Sequence, residues 1–265
     1  MPKPVIKLNN VSFLRKERRI LSDICWEIES GVHWALLGAN GSGKTSLLRI
    51  ITGYEWPSRG TVNVLGNEFG KCAISGLRKH IGYVSSAINI NLPENDSATD
   101  IVLSGIDATI GLHRHYSDDE YKQAHTVMEK MSVEQCKDQH YSILSQGERQ
   151  RILIARAIIN HPDILILDES CAGLDPAAKE HFLADLQVLT SHKNAPTIIF
   201  VTHHIEEISP WITNAFILKD GLCQASGKTE DLLNSETLSE AFNCECTVKK
   251  ENLRYYLQVQ RQAKT

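Results

Sequence analysis

Three short apolar runs divide the chain, and each of them ends in glycine or in polar residues. They are HWALLG (33–38), DILILDE (163–169) and TIIFVTHH (197–204). Continuous apolar runs of this length, two of them rich in β-branched residues, are typical of strands that are buried on both faces. The pattern therefore predicts an α/β protein with a mostly parallel sheet and helices packed on it, preceded by a β-rich N-terminal part.

Helical spacing marks the segments between these runs. TSLLRIIT (45–52) is followed by Gly53, a common helix stop, and GERQRILIARAIIN (147–160) has a strong amphipathic pattern. INLPENDSATD (90–100) reads as a polar loop, and residues 111–131 as a loop that leads into a helix. We expect one domain over residues 1–265, with a core at 1–85 and 161–230, a helical subdomain at 86–160 and a C-terminal tail at 231–265.

Composition limits the class of protein. The 265 residues are 42% hydrophobic, which is enough for one substantial core, and the net charge of −4 disfavours broad binding of nucleic acid. No uncharged apolar run reaches the roughly 18 residues that a membrane span needs, and the first residues lack the apolar region of a signal peptide. These features predict a cytoplasmic protein, and the seven scattered cysteines read as reduced thiols.

The stretch LLGANGSGKTSLLRIITG (36–53) contains the pattern G-x-x-x-x-G-K-[ST] between a predicted strand and a predicted helix. Glycines let backbone N–H groups converge on phosphate oxygens, and the helix start adds a positive end. Lys44 is expected to reach the β- and γ-phosphates, and Thr45 to offer its hydroxyl to Mg²⁺. The residues expected to surround the nucleotide phosphates are Gly38, Ala39, Asn40, Gly41, Ser42, Gly43, Lys44, Thr45 and Ser46.

Two carboxylates follow the second apolar run. Asp168 is placed to hold Mg²⁺ or its water shell, and Glu169 to accept a proton from an attacking water or to orient it. A second turn, LSQGE (144–148), precedes the amphipathic helix and is a further anion site by its small and polar residues. It also fits an ordinary capping box, with Ser145 as the N-cap and Glu148 as its partner, and both interpretations hold together.

The order GANGSGKT, LSQGE, LILDE, AGLD and VTHH resembles the nucleotide-binding subunit of ABC ATPases, from about residue 4 to about residue 243. The resemblance implies that two copies pair head-to-tail around two ATP molecules. Ser145 and Gly147 of one copy would contact the γ-phosphate held by the phosphate loop of the other, and Glu148 would help to complete that site. Asp175 would lie at the interface between the copies. His203 resembles the histidine that contacts the γ-phosphate and the attacking water.

Two positions depart from the family pattern. The segment IGYVSS puts Ser86 where the family carries a glutamine that ligates Mg²⁺, so we expect a contact through water from this shorter side chain. The family stacks an aromatic residue on adenine near the N-terminus, and here Arg15 takes that place. A guanidinium can also stack on a flat ring, and Phe13 is the second candidate.

Trp26, Trp34 and the pair of serines in IGYVSS resemble the molybdenum-transport type of ABC subunit, and the tail resembles metal-chelate importers. The resemblance implies import of an oxyanion, a metal chelate or a similar small solute, through permease subunits at the inner face of the cell membrane. Core packing is the simpler role for the two tryptophans. A stand-alone ATPase acting on ribosomes or nucleic acid, and a regulatory module with little turnover, stay as alternatives.

Overall fold

The computed structural model describes residues 4–85, 92–93 and 95–260, which divide into two compact units. The first unit joins Met1–Ile74 to Thr197–Thr265, and the second is Ser75–Pro196. The division of the chain at residues 85, 160 and 230 that the sequence suggests stays a prediction.

The described strands and helices alternate along most of the chain. The strands are β1 (Pro4–Arg15), β2 (Arg18–Glu29), β3 (Trp34–Leu37), β4 (Arg59–Val64), β5 (Asn67–Glu68), β6 (Ile81–Ser85), β7 (Ile164–Asp168), β8 (Thr197–Val201), β9 (Asn214–Lys219), β10 (Leu222–Lys228), β11 (Cys246–Glu251) and β12 (Arg254–Val259). The helices are α1 (Lys44–Ile51), α2 (Ile74–Arg78), α3 (Ala98–Leu103), α4 (Asp118–Lys130), α5 (Gln146–Ile158), α6 (Pro176–Thr190), α7 (Thr229–Leu232) and α8 (Ser235–Phe242).

The N-terminal part of the first unit is an antiparallel sheet with the strand order β2-β1-β4-β5. Strand β2 buries Ile24, Trp26 and Ile28 and exposes Cys25 and Glu27 between them. This alternation is what a strand with one face on the core requires, because successive side chains point to opposite faces. The β-rich N-terminal part is therefore confirmed.

The same unit contains a second, mostly parallel sheet. Strand β3 lies between β8 and β9 and is parallel to both, while β10 pairs antiparallel with β9. All residues of β3 and β8 are buried, as their continuous apolar runs predict. Trp26 and Trp34 are also buried, with their rings edge to face at 5.6 Å, which confirms a packing role.

In the second unit, β6 and β7 pair in parallel register from Ile81 opposite Ile164 to Ser85 opposite Asp168. Helices α3, α4 and α5 pack on one another, and α6 packs on α5. The predicted loop over residues 90–100 is wrong at its end, because α3 begins at Ala98 with Ser97 and Asp100 forming a capping box. Residues 90, 91 and 94 of that prediction lie outside the described residues.

In the C-terminal part of the first unit, helix α8 is followed by the hairpin of β11 and β12, with six paired positions. Across the three described ranges, no helix combines the length and the apolar character that crossing a bilayer needs.

Candidate nucleotide-binding site

The loop between β3 and α1 keeps the geometry that the sequence predicts for a phosphate loop. Helix α1 begins directly after Gly43, whose φ is 109°, and ends at Ile51 before Gly53. A Cβ on Gly43 would lie 2.8 Å from the Leu21 side chain, so only glycine fits there. At Gly41 the φ is 82° and a Cβ would meet nothing within 4 Å, so this side of the backbone faces open space.

Lys44 is nearly enclosed by the loop, with 6% of its surface exposed. Its Nζ donates hydrogen bonds to the carbonyl oxygens of Gly38 at 2.8 Å and Ala39 at 3.2 Å. These bonds hold a positive charge inside the curve of the loop, where the phosphates of a nucleotide are expected.

The loop fits an anionic phosphate group. Helix α1 starts without a side-chain cap and has no acidic residue in its first turn. A helix start of this kind favours an anion, because its backbone N–H groups and its dipole point outward. Ser42 is 4% exposed, and its buried hydroxyl has no hydrogen-bond partner among the described residues. Thr45, the predicted Mg²⁺ ligand, is exposed at the helix start.

The two candidates for stacking on adenine differ in accessibility. Phe13 is 8% exposed and belongs to the core of the antiparallel sheet. The Arg15 side chain is 55% exposed, and its guanidinium donates a hydrogen bond to Glu55 at 2.9 Å. Arg49 also approaches Glu55, at 3.5 Å. Glu55 thus pairs with Arg15 at the surface.

His203 follows strand β8 in the first unit and is half-buried, while its neighbour His204 is exposed. The two rings lie 4.1 Å apart. The hydroxyl of Thr202 donates to the Glu207 carboxylate at 2.6 Å and accepts the His204 N–H at 3.0 Å. The Thr202 hydroxyl therefore links the residue before His203 to the residue after it and to Glu207.

The carboxylates of the predicted metal and water sites lie at the end of β7 in the second unit. Asp168 is half-buried, and the Tyr83 hydroxyl on the neighbouring strand donates a hydrogen bond to it at 3.2 Å. Glu169 adopts a left-handed φ of 52° immediately afterwards, a conformation that is uncommon for glutamate. The carboxylate oxygen of Asp168 is a donor type that Mg²⁺ prefers.

The turn at the start of α5 confirms the predicted capping box. Ser145 is the N-cap, its hydroxyl lies 2.6 Å from the Glu148 carboxylate, and the Glu148 N–H donates to it at 3.4 Å. The hydrogen bonds from Ser145 to Glu148 hold the pKa of this carboxyl below its usual value. Ser145 is exposed, so this ordered turn is open to a partner.

The turn that follows Glu169 is joined to the same helix. The Gln146 amide donates to the Ala172 carbonyl at 2.9 Å, and Asp175 caps α6 by accepting from Ala177 and Ala178 at 2.9 Å. Gly147 lies close to α6, where a Cβ would stand 3.6 Å from Ala178.

A cleft of about 580 Å³ in the second unit brings the two carboxylates together with the start of α5. Its lining comprises Tyr141, Gln146, Arg149, Gln150, Asp168, Glu169, Ser170, Ala172 and Gly173. Ser86, predicted as a metal contact, lies outside the described residues. The phosphate loop and His203 belong to the first unit, and each unit is described by itself.

Several contacts of the candidate residues or of their immediate neighbours were not predicted from the sequence. They are the bonds from Tyr83 to Asp168, from Gln146 to Ala172 and from Thr202 to Glu207. Buried hydroxyls of Ser85 and Ser170, without hydrogen-bond partners in the described ranges, lie next in sequence to Ser86 and Glu169. The bond from Tyr83 to Asp168 follows from the parallel register of β6 and β7, which places the ends of the two strands side by side.

The fold and the loop define a nucleoside triphosphatase of the phosphate-loop class. A model of the ABC transporter family matches residues 21–172. The chain is 42% identical over 240 residues to the ABC transporter ATP-binding protein YlmA of Bacillus subtilis (strain 168). The aligned region covers 90% of this chain and 91% of the relative. The chain belongs to the ABC transporter ATP-binding family.

Two solved structures share the fold. One is described as a metal-chelate type ABC transporter in an inward-facing conformation, with a TM-score of 0.79, 24% identity and 99% coverage of both chains. The other is a dimeric bacterial ABC transporter cassette, with a TM-score of 0.72, 26% identity and coverage of 84% of this chain and 98% of that one. As a member of this family, the protein is an ATP-binding transporter subunit that binds ATP with Mg²⁺ and hydrolyses it.

Proposed function

We propose that the protein energises import of a small solute, as an ATP-dependent homodimer bound to permease subunits at the inner face of the cell membrane. The observation that carries the proposal is the pair of ordered elements expected to bind phosphate, the loop that encloses Lys44 and the exposed, capped turn at Ser145. A turn that is capped within its own chain and open to solvent suits contact with the nucleotide of a second copy. The dimeric cassette that shares this fold supports the pairing.

In one ATP site, each residue would have a distinct role. Lys44 binds the β- and γ-phosphates, and Glu169 accepts a proton from the attacking water or orients it. His203 contacts the γ-phosphate, and Thr45, Asp168 and Ser86 hold Mg²⁺ directly or through water. Bound Mg²⁺ supplies positive charge that offsets the charge of the phosphates. Ser145, Gly147, Glu148 and Asp175 act across the dimer.

The adenine base would stack on Arg15 rather than on Phe13. The exposure of the Arg15 guanidinium supports this order of the candidates, since Phe13 is buried in the sheet. The solute class, an oxyanion or a metal chelate, is supported by the resemblance of the tail and by the name of one structural neighbour.

Affinity purification of the Glu169→Gln variant from native membranes with ATP tests the proposal. This variant should retain ATP in the closed dimer, because the group that accepts or orients the proton of water is lost. We expect a polytopic membrane protein in the eluate with ATP, and its loss when Lys44→Ala is added. Ribosomes, nucleic acid or the protein alone in the eluate would contradict the role in transport.

The co-purified membrane protein then allows the solute and the direction to be measured. Reconstituted in liposomes with the wild-type chain, the complex should move a radiolabelled oxyanion or ferric chelate toward the side that carries the ATPase. Transport away from that side would show an exporter, and transport of neither probe would refute the solute class.

A further inference from the structure

The 3₁₀ turn Ile205–Glu207, which begins two residues after His203, is hydrogen-bonded to the C-terminal hairpin of β11 and β12. The main-chain carbonyl of Glu206 accepts a hydrogen bond from the Arg254 guanidinium at 3.2 Å. The Glu206 carboxylate accepts the backbone N–H of Leu257, also at 3.2 Å. Two residues of β12 therefore bond to the carbonyl and to the carboxylate of one residue in the 3₁₀ turn Ile205–Glu207.

Within the turn, the next residue connects this contact to His203. Glu207 is 3% exposed, and its carboxylate accepts the short hydrogen bond from Thr202. A buried carboxylate needs such a bond, because an unbonded one is strongly unfavourable away from water. Thr202 is itself 2% exposed and accepts the His204 N–H. Glu206 and Glu207 thus hold the turn from the hairpin side and from the His203 side.

The hairpin is anchored well enough to act as a support. Ser239 on helix α8 accepts the N–H of Cys246 at 3.0 Å, and Ser235 accepts the N–H of Val248 at 2.9 Å. The side chain of Tyr255 is buried with 7% exposure. Strand β11 is therefore bonded to α8, and its pairing with β12, which sets Val248 opposite Leu257, supports the contact of Leu257 with the 3₁₀ turn.

We propose that the C-terminal hairpin positions His203 for ATP hydrolysis, and that Glu206 is the positioning residue through which the hairpin acts. This inference rests on the proposed role of His203. The hairpin contributes no group to the nucleotide in this account and acts through the turn Ile205–Glu207 alone. A change at Glu206 should therefore lower the rate of hydrolysis more than it weakens ATP binding.

Steady-state ATPase measurements on the full chain test the inference. We expect Glu206→Ala to lower kcat about fivefold, the effect of losing about one hydrogen bond, with the KM for ATP changed less than twofold. Glu206→Gln should keep kcat within about twofold of wild type, because its amide oxygen still accepts the Leu257 N–H. Gln258→Ala, an exposed change on the same strand, is the matched control and should leave both constants unchanged.

The same measurements with His203→Ala separate this inference from the proposed role of His203. If Glu206 acts through His203, adding Glu206→Ala to His203→Ala lowers kcat no further. A full fivefold loss in that background, or a loss with Glu206→Gln equal to that with Glu206→Ala, overturns the inference while the role of His203 stands. An unchanged kcat in His203→Ala itself refutes the role of His203, and the positioning inference falls with it.

Discussion

At the scale of single residues, the phosphate loop depends on glycines with a left-handed backbone. Gly41, with a φ of 82°, and Gly31, with a φ of 76°, both have open space where a Cβ would stand. Replacing either with alanine should cost about 1 kcal/mol of stability through the backbone strain alone. Only Gly41→Ala should also weaken ATP binding, by about tenfold, because its new methyl group stands where the backbone approaches a phosphate.

Chemical denaturation and ATP titration of the two variants check this prediction. Gly31→Ala is the control, since it carries the same kind of strain on the loop before β3. Equal ATP affinity in the two variants would show that Gly41 has no part in the phosphate site.

Local sequence patterns point to candidate site residues more readily than to the contacts between distant residues. The pattern of glycines followed by Lys44 and Thr45 predicted a phosphate loop. Glycines expose backbone N–H groups and the lysine adds a positive charge, and this combination between a strand and a helix is typical of phosphate binding. The pairing of Arg15 with Glu55 was not predictable, because it joins residues 40 positions apart. Such a contact depends on the path of the chain after α1, which no local pattern specifies.

At the scale of secondary-structure elements, two 13-residue helices begin with the same serine–glutamate capping box. They are α4, capped by Ser117 and Glu120, and α5, capped by Ser145 and Glu148. Serine to alanine at either cap should cost about 1 kcal/mol of stability. Only Ser145→Ala should also lower ATPase activity, by about tenfold, because this hydroxyl is proposed to contact the γ-phosphate in the partner copy.

Parallel measurement of unfolding and of ATPase rates in the two variants separates the two roles of Ser145. Ser117→Ala matches the loss of the cap on a helix that carries no proposed site residue. If both variants hydrolyse ATP equally well, Ser145 is a helix cap and nothing more.

Element prediction succeeded where the hydrophobic pattern was unambiguous. The three continuous apolar runs are the buried strands β3, β7 and β8. The short helix α3 was missed because six residues show little periodicity, although Ser97 and Asp100 signal its start. The hairpin of β11 and β12 was treated as a tail, and its turn uses left-handed Asn252 and Leu253 rather than glycine.

At the scale of the whole molecule, the order of the motifs predicted the family from the sequence alone. Each compact unit carries part of them, the phosphate loop and His203 in the first and the two carboxylates with Ser145 in the second. The transported solute was not predictable in the same way. No residue that the fold assigns to ATP chemistry needs to touch the solute, so nothing in those motifs records its identity.

The central claim is that ATP joins two copies of the chain through the loop around Lys44 and the turn at Ser145. Light scattering during size-exclusion chromatography of Glu169→Gln, with ATP and Mg²⁺, measures this directly. The account predicts a species of twice the 29.7 kDa mass with ATP, and the single mass without ATP or when Lys44→Ala is added. A single mass with saturating ATP bound would contradict the ATP-dependent dimer.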